Sequence, residues 1–129
     1  MDKIEQAREI LIELKVPERQ QADLCCLTLL SMANIKPSDN WRNADNNWVR
    51  IHDVINFVRD HYAISYAENS RETFRKQAIH HFRNAAFIED NGMATNSPNY
   101  RYRLTDEILN LIKCYGSREL ELEKIRFIE

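Results

Sequence analysis

The side chains best suited to chemistry lie close together in residues 69–86, NSRETFRKQAIHHFRNAA. Large apolar or small residues recur there at every fourth position: Phe74, Ala78, Phe82 and Ala86. This spacing predicts one buried stripe along an α-helix, so the charged and amide side chains on the opposite side are predicted to face solvent. The pattern Asn69 to Glu72 is typical of a capping box and predicts where the helix begins.

A solvent-facing helix of this composition is suited to reading duplex DNA. The major groove admits an α-helix, in which Arg pairs with guanine, Asn or Gln with adenine, and Thr contacts the thymine methyl group. By residue type, six side chains are predicted to read bases: Asn69, Arg71, Thr73, Lys76, Gln77 and His80. Nine others are predicted to contact the DNA backbone, which sets register and salt dependence: Ser70, Arg75, Arg83, Asn96, Ser97, Asn99, Tyr100, Arg101 and Arg103.

Other chemistries have weaker support in the sequence. His80 and His81 are neighbours whose side chains point about 100° apart on a helix, and neither has a second ligand at metal-site spacing, so no metal site is predicted. His81 is predicted to pack in the core. Two glycines cannot build a phosphate-binding loop. The three cysteines form neither a C-x-x-C pair nor an even framework, so they are predicted to be small buried residues.

The net charge of −2 is unevenly distributed. Residues 70–104 hold six basic and three acidic residues, a local charge of +3 that leaves −5 for the rest of the chain. A polyanion responds to the local charge, so the overall value does not argue against DNA. No apolar run reaches the roughly 18 residues of a membrane span, and the N-terminus lacks a signal-peptide pattern. We therefore expect a cytoplasmic protein without a membrane partner.

The elements around this helix predict a mainly α fold with a small β-hairpin. Residue periodicity predicts helices over 2–15, 18–34, 51–62, 69–86 and 107–115, and strands over 87–90 and 100–104. Two helices with a short link, followed by a hairpin, indicate a winged helix-turn-helix with an N-terminal helical extension. We assign residues 1–116 to this domain and 117–129 to a C-terminal linker helix. Trp41 and Trp48 are predicted to cover the core.

The run from Tyr66 to Phe82, YAENSRETFRKQAIHHF, closely resembles the N-terminal domain of the BsuBI/PstI family of type II restriction endonucleases. The resemblance continues in AAFI at residues 85–88 and ATNSP at 94–98. It also covers upstream segments at residues 7–11, 27–30 and around Trp41, so it spans nearly the whole chain.

This resemblance implies a DNA-recognition domain of a homodimeric, Mg²⁺-dependent enzyme that cuts a CTGCAG-like palindrome. In that family the catalytic residues and the metal belong to a separate C-terminal domain, so for this chain we expect double-stranded DNA as partner and neither catalysis, a cofactor nor a small-molecule substrate. Dimerisation is expected from the two-fold symmetry of such a target. Two alternatives stay open: a free-standing winged-helix transcriptional regulator, and a winged-helix protein-interaction module.

Overall fold

The computed structural model describes residues 2–116 and 127, and of residue 68 the backbone alone. This part of the chain forms five helices and one two-stranded hairpin. The helices are α1 (Lys3–Glu13), α2 (Asp23–Met32), α3 (Ile51–Tyr62), α4 in three consecutive segments (Arg71–Phe74, Arg75–Ile79 and His80–Asn84) and α5 (Asp106–Lys113). The strands are β1 (Ile88–Asp90) and β2 (Tyr102–Leu104). Short 3₁₀ turns lie at Glu18–Gln21, Trp41–Asn43 and Glu68–Ser70. The predicted fold class is confirmed.

Helix α2 is the centre of the core. Every residue of α2 after Asp23 is buried, as expected for a helix that is apolar on most sides. It is shorter than the predicted 18–34, because residues Glu18–Gln21 form a separate 3₁₀ turn before it. Trp41 covers one end of the core and donates its indole N–H to Gln6 Oε1 at 2.7 Å. The remaining helices pack around α2 and leave one side of α4 in solvent.

Helix α4 contains a π-helical turn, residues Arg75–Ile79, between two α-helical segments. In a regular α-helix, Phe74 and Phe82 would point about 80° apart, because each residue advances the helix by about 100°. The extra residue that a π turn accommodates brings the two rings back into line. Both rings are fully buried, with Ala78 between them. The turn thus keeps one continuous apolar row facing α2.

The hairpin pairs β1 with β2 in antiparallel register, with Glu89 opposite Arg103. A third strand is reduced to one residue: Val49 exchanges two backbone hydrogen bonds of 2.8 Å with Tyr102, on the free edge of β2. This contact ties the hairpin to the start of α3. The helix pair α3 and α4 and the hairpin together form the predicted winged helix-turn-helix.

Four local predictions were wrong. The capping box does not form, since the turn Glu68–Ser70 precedes α4 and no side chain caps it. Ala86 is exposed at a φ of 63°, because the helix has already ended. His81 is half-buried and Trp48 is 41% exposed, so neither belongs to the core. The predicted linker helix at 117–129 lies outside the described residues except for residue 127.

Candidate nucleic-acid interface

A groove of about 880 Å³ runs between α4, the N-terminus of α3 and the hairpin with its loop. We call it the wing groove. Side chains from all three regions line it: Arg50, Ile51, His52, Arg71, Glu72, Arg75, Lys76, Ile79, His80, Arg83, Thr95, Ser97, Pro98, Tyr100 and Tyr102. Its floor is apolar at Ile79 and Tyr102, which are buried, while the charged side chains stand at its rims. The groove is therefore an open, basic channel along one side of α4.

Among the described residues, the lining of the wing groove has five Arg or Lys side chains and two His, and its one carboxylate is Glu72. Arg75 spans one helical turn to pair with that carboxylate, and this hydrogen bond lowers the pKa of Glu72. Arg71 and Lys76 form no ion pair with any other described residue. Unpaired cations beside an open channel attract a polyanion, because no internal partner has to be displaced before binding.

Asp90 fixes the geometry of the hairpin side. Its side chain is only 13% exposed and forms an ion pair with Arg83 across the groove at 2.5 Å. It also accepts hydrogen bonds from the Tyr100 hydroxyl at 3.2 Å and from the Gly92 backbone N–H at 2.8 Å. A carboxylate with this little solvent needs such partners. Asp90 therefore links α4, the loop and the second strand into one rigid wall.

Tyr100 and Tyr102 form the hairpin face of the wing groove. Their rings meet edge to face with centroids 4.9 Å apart. Burial raises the pKa of Tyr102 to about 12, so its hydroxyl stays protonated at neutral pH. The two tyrosines supply an uncharged aromatic surface opposite the cationic rim of α4.

Seven of the fifteen predicted DNA contacts line the wing groove: Arg71, Arg75, Lys76, His80, Arg83, Ser97 and Tyr100. The structure places the other eight outside it: Asn69, Ser70, Thr73, Gln77, Asn96, Asn99, Arg101 and Arg103. Thr73 and Gln77 are nevertheless exposed on α4 itself. Contact with DNA remains a prediction for all fifteen.

Arg101 and Arg103 are engaged inside the hairpin. Successive residues of a strand point to opposite faces, so these arginines alternate with the two groove tyrosines. The Arg101 guanidinium donates to the carbonyl oxygens of Pro98 and Tyr100, at 2.8 and 3.0 Å. Arg103 lies 3.5 Å from Glu89 and stacks 4.5 Å above the Trp48 ring. Both side chains act locally to hold the hairpin together.

Sequence reasoning missed three polar residues of the wing groove: Arg50, His52 and Thr95. Arg50 and His52 belong to the start of α3, where the Arg50 N–H donates to Asp53 Oδ2 at 2.9 Å. Arg50 is not a residue type that signals an N-cap, so its pairing with Asp53 is seen only in the structure. Nothing local indicates that the start of α3 faces α4 across a groove.

The described residues contain no cluster of three or more His, Cys, Asp or Glu side chains that could hold a metal ion. Cys25 and Cys26 are buried, and burial raises their pKa values to about 11 and about 12, so both are protonated at neutral pH. The prediction that the cysteines are small buried residues is confirmed for these two. It is wrong for Cys114, which is only half-buried because it lies just past the end of α5. None of the helices in the described ranges has the length and apolar character to cross a bilayer.

Fold and groove together define a winged helix-turn-helix domain with a basic channel beside its exposed helix. Residues 1–128 match the model of the BsuBI/PstI restriction endonuclease HTH domain. The chain therefore belongs to this family, as the sequence resemblance predicted.

Two relatives and one solved structure agree with this assignment. The chain is 38% identical over 120 residues to the type II restriction enzyme BsuBI of Bacillus subtilis, covering 90% of this chain and 38% of that enzyme. It is 29% identical over 126 residues to the type II restriction enzyme AplI of Arthrospira platensis, covering 95% and 39%. The structure of SdaI restriction endonuclease superimposes with a TM-score of 0.91 at 28% identity, covering 97% of this chain and 40% of that one. The chain thus spans about two fifths of the length of these relatives.

Proposed function

We propose that this domain recognises a specific duplex DNA sequence for a type II restriction endonuclease, with residues 70–85 in the major groove and residues 87–104 against the backbone. The observation that carries the proposal is the wing groove, where five cationic side chains face one carboxylate. A phosphate backbone lying in this groove would leave the outer edge of α4 directed at the bases. Type II restriction enzymes among the relatives support this role.

The position of each side chain indicates whether it would contact phosphate or a base. Side chains on the rims of the wing groove, such as Arg75 and Arg83, lie where they would meet phosphate. Arg71 and Gln77 are exposed on α4 and have the residue types that read guanine and adenine. As the target we propose a CTGCAG-like palindrome, which two copies of the domain would bind as symmetric half-sites.

A competition titration tests the proposal. Fluorescent duplexes with and without CTGCAG, each methylated and unmethylated, are titrated with this chain across a salt series. We expect tighter binding to the palindrome and an affinity that falls steeply with salt. Absence of any binding at about 0.1 M salt would instead favour a protein-interaction module. Equal affinity for both duplexes would remove the claim of sequence recognition.

Single substitutions separate the two kinds of contact. Arg75→Ala is expected to weaken binding to every duplex, because phosphate contacts carry no sequence information. Lys76→Ala is expected to do the same, since Lys76 lines the wing groove and is assigned here to phosphate instead of the base first predicted for it. Arg71→Ala and Gln77→Ala are expected to erode discrimination between the palindrome and scrambled DNA by about 1–3 kcal/mol each. Equal losses on both duplexes for all four variants would contradict the assignment.

The wider setting of the domain is also part of the proposal. We place it in the cytoplasm, acting together with a Mg²⁺-dependent catalytic domain. A free-standing regulator would use the same surface, and the two are distinguished by whether the open reading frame encodes a nuclease domain. Sedimentation of the chain with one palindromic duplex would test for two copies per site.

A further inference from the structure

A second, smaller cavity of about 400 Å³ lies on the other flank of α4. Five polar side chains line it: Arg19, Gln20, Lys76, Gln77 and His81. We call it the rear notch. Lys76 lines both the notch and the wing groove, so the exposed ridge of α4 separates the two concavities. Within the part of the chain that the structure describes, none of the residues lining the notch is acidic.

The 3₁₀ turn Glu18–Gln21, which presents Arg19 and Gln20, is held firmly in place. Arg8 of α1 donates its Nε–H to the Gln21 carbonyl at 3.0 Å, and the Gln21 side chain donates to the Val16 carbonyl at 3.0 Å. Arg8 also pairs with Asp23 at the start of α2. The turn is therefore anchored to two helices before any ligand arrives, which reduces the entropy lost on binding.

On the opposite wall, α4 is fixed by a hydrogen bond from the core. The buried Cys25 thiol donates to the Gln77 backbone carbonyl at 3.1 Å. The two walls of the rear notch are thus set by different elements, each fixed by its own hydrogen bonds. The Arg19 and Gln20 side chains are paired with no other residue in the described ranges, so their donors are available to a ligand.

We propose that the rear notch binds a DNA phosphate on the strand opposite to the one in the wing groove, with Arg19 and Gln20 as its donors. This inference rests on the proposed function. A helix inserted into the major groove is flanked by two phosphate backbones, because the groove is about 12 Å wide and the helix about 10–12 Å across. The wing groove takes one backbone, and the notch lies where the other would pass. The N-terminal extension therefore takes part in DNA binding.

The test compares two variants by phosphate ethylation interference on a CTGCAG duplex, with affinities measured over a salt series. Within one half-site, Arg19→Ala is expected to abolish interference at phosphates of one strand, and Arg75→Ala at phosphates of the other strand. The second half-site should show the same pattern with the two strands exchanged. Arg19→Ala should also reduce the magnitude of the slope of log K against log salt by about 0.9, on palindromic and scrambled duplexes alike. Arg19→Gln should show the same loss of slope while keeping a polar side chain.

Arg42→Ala is the matched control. Arg42 is also exposed and on a 3₁₀ turn, but that turn packs against α5, away from α4. Its substitution should leave the slope and the interference pattern unchanged. If Arg19→Ala behaves like Arg42→Ala while Arg75→Ala still weakens binding, the rear notch is excluded and the proposed function stands. If, within one half-site, both variants changed interference on the same strand, the notch would also be overturned. Absence of binding by the unaltered chain would overturn both proposals.

Discussion

The two sides of α4 are built on different physical principles, although they belong to the same fourteen or so residues of chain. The inner side is a row of three uncharged residues, Phe74, Ala78 and Phe82, all at 0–1% exposure. The outer side carries cations, of which Arg71 and Lys76 have no ion-pair partner among the described residues. Shape determines the inner row, because buried atoms must fill space. Positive charge characterises the outer row: among the described residues it is unpaired at Arg71 and Lys76, and paired with a carboxylate at Arg75 and Arg83.

This difference means that stability and DNA binding should respond to separate sets of substitutions. The π turn Arg75–Ile79 keeps the apolar row on one side of the helix and the charged row on the other, because its extra residue holds the apolar row in line while the helix continues. π turns of this kind occur frequently at functional sites.

The largest effect is expected from Phe74→Ala. Removing a fully buried ring leaves a cavity next to α2, and the Tyr66 ring, whose centroid is 4.9 Å away, loses its edge-to-face contact. The free energy of unfolding, measured by urea titration, should fall by about 3–5 kcal/mol. The neighbouring exposed residue gives the control: Thr73→Ala should change it by less than about 0.5 kcal/mol. Similar losses in both variants would show that the rows are not distinct.

Asp90→Ala should have the next largest effect. This carboxylate connects the outer row to the hairpin through Arg83, and its removal leaves three hydrogen-bonding groups without their acceptor. We expect the free energy of unfolding to fall by about 1–3 kcal/mol. Hydrogen exchange at the Gly92 amide should also become faster. Asp90→Asn keeps a side-chain oxygen for that amide, so it should protect Gly92 better than alanine does; equal exchange in the two variants would argue against the assigned contact.

The buried and exposed rows of α4 could be predicted from sequence because both follow the helical spacing of neighbouring residues. Apolar residues at Phe74, Ala78 and Phe82 required only helical spacing to be recognised. The π turn could not be predicted, since the residues within it have ordinary right-handed helical preferences and the extra residue is absorbed only when the helix packs. Ala86 was predicted to be buried for a related reason: the helical period was extended past residue 84, where α4 ends.

The contributions of other elements to the wing groove depend on tertiary structure. Arg50 and His52 enter it because Val49 pairs with Tyr102 and so docks the start of α3 against the hairpin. No sequence pattern near residue 50 indicates that pairing. For the hairpin arginines a signal did exist: strand alternation separates Arg101 and Arg103 from Tyr100 and Tyr102. The prediction that both arginines contact the DNA backbone rests on residue type and did not use that alternation.

A third prediction concerns two cations of the same region. Arg103→Ala should lower the free energy of unfolding by about 0.5–1 kcal/mol, because Arg103 stacks on Trp48 and pairs with Glu89. It should leave the salt slope of DNA binding unchanged. Lys76→Ala should show the reverse: unchanged stability and a slope reduced by about 0.9. A smaller salt slope of DNA binding for Arg103→Ala would instead support the phosphate contact predicted from its residue type.

The smallest effect, and the only gain, is expected from Glu72→Gln. Glu72 is the one carboxylate in the wing groove, and its hydrogen bond with Arg75 raises the pKa of that guanidinium. Without the charge, Arg75 no longer has to exchange an internal anion for a phosphate, so affinity for any duplex should rise by up to about fivefold at low salt. The salt slope should become steeper, and discrimination should stay constant because no base contact changes.

The same substitution at Glu89, which pairs with Arg103 outside the groove, should leave affinity unchanged. If Glu72→Gln weakened binding instead, the pair with Arg75 would be holding the guanidinium in the orientation that meets the phosphate, and the outer row would depend on local partners as much as the inner row does.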